Sequence, residues 1–81
     1  MEQRRVMSQG YSVKLVQLNK QADKKKLGVK LGKACIGASI SVSQVAKIIG
    51  VSRMTVYNWF SGLHDPQEVY EPAIQGLLDQ L

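Results

Sequence analysis

Apolar residues along this chain recur at helical spacing in two runs that meet at a glycine, and a serine stands before each part of the second run. From Asp23 onward, Leu27, Leu31, Ala34, Cys35 and Ala38 fall at i, i+4, i+7, i+8 and i+11, one stripe of a helix. Asp23 stands where it can cap that helix. Gly28 and Gly32 interrupt it at about 1 kcal/mol each relative to alanine, a cost that suits either a close approach of backbones or simple tolerance.

A second helix is expected to open at Ser41. The spacing Ser41-x-x-Gln44 is a capping box, in which each side chain bonds the other residue's backbone amide. Ile40 and Val45 stand at staple positions around it. Val45, Ala46, Ile48 and Ile49 supply the apolar side, and Gly50 ends the helix because it tolerates the left-handed conformation. Ser52 caps a third helix from Arg53 to about Phe60, with Val51 and Val56 again at staple spacing, and Gly62 stops it. Asp65-Pro66 reads as a cap and first-turn proline, whereas Pro72 cannot continue that helix without losing a bond. PQEVY is therefore one short turn, and PAIQGLLDQL a further helix with Ile74, Leu77, Leu78 and Leu81 on its apolar face.

The opening segment reads differently. Tyr11, Val13 and Leu15 alternate with Ser12 and Lys14 in a short strand-like pattern. Three forms fit residues 1–20: a disordered basic arm, an edge strand used in dimer contacts, or an extra helix laid on the domain. The expected organisation is thus a basic N-terminal arm or extension over 1–20 and a helical domain over 21–81. The fold class is all-α, a compact bundle of four to five helices.

Composition narrows the function. Eighty-one residues make one small domain, since a chain near this size hides only about 60% of the surface its unfolded form exposes. All eleven cations and two acids, Glu2 and Asp23, lie at or before His64, whereas Asp65 onward holds four acids and no cation. Such a basic portion suits a polyanionic partner, and it equally suits plain solubilising charge. Lys24, Lys25, Lys26, Lys30 and Lys33 fall off the apolar stripe and add to the positive field. One cysteine, Cys35, and one histidine, His64, make neither an internal disulfide nor a zinc site of ordinary ligand count. Cys35 reads as a small core residue. No metal, cofactor or catalytic residue is expected, because no nucleophile with its base, no phosphate-cradling glycine loop and no metal cluster is visible. Arg4 and Arg5 are followed by no apolar segment, and no run reaches the roughly 18 apolar residues of a membrane span. The expectation is a cytoplasmic protein without a membrane partner.

Helices of fewer than about 12 residues are marginal alone, so the pair around Gly50 must brace each other. Numbered from Val42, the pair carries apolar residues at places four, eight, ten, fifteen and eighteen (Val45, Ile49, Val51, Val56, Trp59), with small Ala46 at five and Gly50 at nine. This is the helix-turn-helix pattern. With Trp59 and Phe60 inward, the outer side of the second helix carries Arg53, Met54, Thr55, Tyr57, Asn58 and Ser61. A major groove about 12 Å wide admits one such helix. Arg53 can donate two bonds to guanine, Asn58 can pair bidentately with adenine, and Met54 or the Thr55 methyl can pack on a thymine methyl. Ser43, Gln44, Ser52, Tyr57 and Ser61 suit backbone phosphates, which position without reading sequence.

Over residues 24–80 the chain resembles the lambda-repressor and Cro-like helix-turn-helix proteins of phages and bacterial regulators. The residues that carry the likeness are LGVKL, ISVSQVAKIIGVSRMTVYNW and the spacing of GLHDP. The resemblance implies a lambda-repressor-like bundle and a sequence-specific double-stranded DNA-binding regulator of transcription, of repressor type. It implies a homodimer on a pseudo-palindromic site, and a home in the nucleoid, or in the host-cell cytoplasm if phage-encoded. Val42 stands where many members have glutamine, and Pro72 interrupts the longer fourth helix usual there. Two other readings remain open: an architectural, recombination or packaging DNA-binding accessory protein, and a small protein-interaction factor that targets host RNA polymerase.

Overall fold

Three of the helices start on a serine whose hydroxyl accepts the amide of the residue three positions later. Ser12 takes Leu15, Ser41 takes Gln44 and Ser52 takes Thr55, each at 3.1 Å. Each bond satisfies one amide that the first helical turn leaves without a partner. The structure, a computed structural model, describes residues 12–81. In chain order they form α1 (Val13–Gln21), α2 (Leu27–Gly37), α3 (Val42–Ile49), α4 (Arg53–Ser61), a 3-10 turn (Glu68–Tyr70) and α5 (Glu71–Gln80). The fold is all-helical, with no strand among the described residues.

The capping box at Ser41 is complete, because Gln44 Oε1 also accepts the Ser41 amide at 2.9 Å. Gly50 (φ 87°) and Gly62 (φ 80°) end α3 and α4 in the left-handed region, where a Cβ would be strained. Pro72 stands in the first turn of α5, where its missing amide costs nothing.

The core gathers on α4. Val56, Trp59 and Phe60 are buried against Leu31 and Cys35 of α2, Val45 and Ala46 of α3, Leu15 of α1, and Ile74 and Leu77 of α5. The Trp59 ring meets the Tyr70 ring at a centroid distance of 5.6 Å and a tilt of 49°, which ties the 3-10 turn to α4. Gly28 brings α2 onto α4, since a Cβ at that position would lie 2.8 Å from Trp59 Cβ and 2.9 Å from its carbonyl oxygen. No helix among the described residues is long and apolar enough to cross a membrane.

Several expectations change. Asp65 and Pro66 do not open a helix, since the 3-10 turn begins at Glu68 on Gln67 without a side-chain cap, and Leu81 of the expected apolar face is 43% exposed. Residues 13–21 are a helix, not a strand: Leu15 and Asn19, one turn apart, are both buried, while Val13 is exposed. Of the three forms considered for the N-terminal segment, these residues take the last. Tyr11 and the rest of residues 1–11 lie outside the described residues. Asp23 does not cap α2, which starts four residues later at Leu27 on Lys26 without a side-chain cap. Instead Asp23 Oδ1 accepts the Lys25 amide at 2.9 Å and shapes the turn before the helix. Ile48 is not part of the apolar side of α3; it is 60% exposed, because with about 100° between successive residues it shares a side with Gln44 rather than with Val45 and Ile49.

Candidate nucleic-acid interface

The apolar positions of α4 occupy one side of a nine-residue helix, so the other side is left to solvent. Met54 lies opposite the core and is 67% exposed. Arg53 and Tyr57 fall to one side of it, Thr55 and Asn58 to the other. The helix therefore presents a ridge with two flanks.

Each flank lines its own groove. On the first, Arg53, Met54 and Tyr57 face Ser43 and Val42 at the start of α3 and Ser12 at the start of α1, around a volume of about 380 Å³. On the second, Ser52, Thr55 and Asn58 face His64, Asp65 and Gln67 of the loop after α4, around about 430 Å³. Arg53 and Asn58, both expected to contact bases, are thus on the same helix but in different grooves.

Several candidates are already engaged inside the molecule. Ser52 Oγ and Thr55 Oγ1 share a hydrogen bond of 2.9 Å in addition to the cap, which leaves Thr55 its methyl and part of its hydroxyl's hydrogen-bonding capacity. Gln44 Oε1 is held by the Ser41 amide, so only the Gln44 NH₂ can donate outward. The Ser61 hydroxyl donates to the Asn58 carbonyl at 3.3 Å. Ser43 is exposed and uncommitted to the cap. Arg53 is exposed, Tyr57 and Asn58 are half-buried, and among the described residues none of their side chains takes part in a hydrogen bond or ion pair.

The lysines divide in the same way. Lys26 Nζ donates to the Gly62 carbonyl at 3.2 Å and stands 3.8 Å from Asp65, and Lys33 Nζ donates to the Asn19 carbonyl at 3.2 Å. Both place positive charge at a helix C-terminal end, where the dipole favours it. Lys24, Lys25 and Lys30 remain exposed for a more distant partner. Cys35 is wholly buried, and burial pushes its thiol up to about 11, which keeps it protonated and out of reach.

Sequence reasoning did not single out Ser12, His64 or Gln67. The loop residues flank the Asp-Pro signal and carry no periodicity, and Ser12 precedes a helix that reads as a strand. Comparisons with protein-family models, with curated proteins and with solved structures find no match to this chain.

Proposed function

We propose that the protein is a sequence-specific double-stranded DNA-binding regulator of transcription, in which α3 and α4 form a helix-turn-helix and α4 enters the major groove. The observation that carries this reading is the division of α4: Val56, Trp59 and Phe60 are at most 3% exposed, while Met54 and Asn58 stand on the side away from them and Arg53 is exposed on its first turn. The three-residue turn 50–52 fixes α3 against α4, so the outward side chains are held on a rigid element. Arg53 and Asn58 supply hydrogen-bonding groups for guanine and adenine edges, and Met54 an apolar contact for thymine. Ser43, the Gln44 NH₂ and Tyr57 suit phosphates. The cations gathered before His64 supply the long-range attraction.

Selection of bound fragments from random-sequence duplex DNA tests the reading. A defined consensus is expected, and two-fold symmetry in it would support a homodimer on paired half-sites. Affinity for the selected duplex should fall linearly in log salt, with a slope of about −0.9 per phosphate neutralised. Enrichment of no sequence, together with a flat salt response, would favour a protein-interaction factor instead.

A further inference from the structure

Among the described residues Asn19 is the one polar side chain buried in the core, 3% exposed, and it belongs to the helix that the sequence hides. Its carboxamide nitrogen donates to the Phe60 carbonyl at 2.8 Å and to the Val29 carbonyl at 3.2 Å. Two donors thus meet two acceptors, and the desolvation of the NH₂ group is compensated.

Phe60 is in the last turn of α4, whose carbonyls have no partner within the helix. The Asn58 carbonyl accepts the Leu63 and His64 amides at 3.0 and 3.2 Å, and the Phe60 carbonyl accepts Asn19. Gly32 of α2 makes room for this bond: a Cβ there would lie 2.5 Å from Asn19 Nδ2 and 2.9 Å from Phe60 Cγ. Lys33 Nζ then holds the carbonyl of Asn19 itself at 3.2 Å, so α2 grips both ends of the same residue. A leucine of similar size would bury more apolar area; what the amide adds is direction.

We propose that α1 is a positioning element for α4, with Asn19 as its positioning residue: it fixes the C-terminal end of α4 on α2 and thereby the angle at which Arg53, Met54 and Asn58 meet DNA. The functional half of this inference rests on the DNA-binding reading above. Arg53 stands seven residues before Phe60, about 10 Å along the axis. A tilt of about 10° at the anchored end moves Arg53 by about 2 Å, beyond the roughly 0.5 Å within which a hydrogen-bonding site must be held. Base contacts fail at that displacement. Phosphate attraction tolerates it.

The test compares full-length Asn19→Leu with the unaltered protein on two probes, the duplex recovered by selection and a scrambled duplex of equal length. The expected result is a loss of about tenfold on the selected duplex, the equivalent of one poorly made contact, and under about twofold on the scrambled one. Leu15→Ala, which removes packing from α1 but no hydrogen bond, should lower both affinities only in step with its unfolded fraction. Gly32→Ala, which displaces the Asn19 amide while keeping its atoms, should reproduce the split. Unchanged affinity of Asn19→Leu, or equal loss on both probes, overturns the proposal. An arm without DNA separates the two readings: a scalar coupling across the hydrogen bond between Asn19 Nδ2 and the Phe60 carbonyl carbon is expected by NMR in the unaltered protein. If neither duplex binds, the DNA-binding reading fails while this coupling still supports the anchoring of α4; its absence overturns that anchoring whatever the DNA result.

Discussion

Alanine at Gly28 sets two opposed effects against each other at one position. Removing a glycine from a helix gains up to about 1 kcal/mol in propensity. The new methyl, however, would lie 2.8 Å from Trp59 Cβ, 2.9 Å from the Trp59 carbonyl oxygen and 3.1 Å from its carbonyl carbon. None of these atoms is the free end of a flexible side chain, so α2 must move off α4 by most of an ångström. Overpacking of this kind costs about 1–3 kcal/mol, and backbone obstruction puts Gly28 at the upper end. The net destabilisation is about 2 kcal/mol, a fall in thermal midpoint of about 8–16 °C for a domain of this size. Gly76, in α5, is the internal control: a Cβ there meets nothing within 4 Å. Gly76→Ala should therefore stabilise by about 0.5–1 kcal/mol. Thermal and urea unfolding followed by circular dichroism measure both. If Gly28→Ala unfolds at or above the midpoint of the unaltered protein, the close seating of α4 on α2 is wrong, and so is the orientation of the outward side chains derived from it.

Arg53→Ala should cost about 1–3 kcal/mol on the selected duplex and relax preference at one base pair, whereas Ser43→Ala should weaken all sequences alike; binding titrations against single-base variants tell the two apart. Gln44→Glu keeps an acceptor for the Ser41 amide and adds charge favoured at a helix start, so stability should hold or rise by about 0.3–1 kcal/mol. Its DNA affinity should nevertheless fall, most at low salt, and an unchanged affinity would remove Gln44 from the phosphate contacts. Because burial raises the Cys35 thiol from 9.0 to about 11, the folded state keeps a proton that the unfolded chain releases. Stability is then unaffected by this group below pH 9 and declines as pH rises from 9 toward 11. Urea midpoints across that range should fall more steeply for the unaltered protein than for Cys35→Ala, and parallel curves would count against the burial.

Where a helix begins or ends through a local interaction, the sequence is enough to place it. Ser41 with Gln44, Ser52, Gly50, Gly62 and Pro72 each act within a turn of their own position, and the structure bears them out. Trp59 and Phe60 are buried as expected because three apolar residues within one turn and a half leave α4 a single inward side. Helix α1 was not legible, since its inward side includes an asparagine and its alternation of Val13 and Leu15 imitates a strand. What makes Asn19 an interior residue is a pair of carbonyls supplied by Val29 and Phe60, 10 and 41 residues away in sequence. Lys26 and Lys33 escaped for the same reason: as sequence they are two more positive charges, and only the packing brings them to the ends of α4 and α1. The engagement of Gln44 Oε1, by contrast, follows from the capping box itself, and it limits Gln44 to one kind of outward contact.

The separation of Arg53 and Asn58 into two grooves bears on how the proposed base contacts would combine. They are five residues apart on α4, about 7.5 Å along its axis, and Met54 stands between their flanks. Among the described residues neither side chain has an intramolecular partner, so neither can pass a disturbance to the other through a shared bond. Sites this far apart without common partners combine additively to within about 0.5 kcal/mol. Arg53→Ala and Asn58→Ala, measured singly and together on the selected duplex, should therefore show independent losses at two different base pairs. A larger coupling would mean that the pair acts as a unit and would overturn their separation into two independent contacts. Met54, which stands between the two flanks, faces the bases whenever both of them do, so its replacement by alanine should weaken binding to the selected duplex as well.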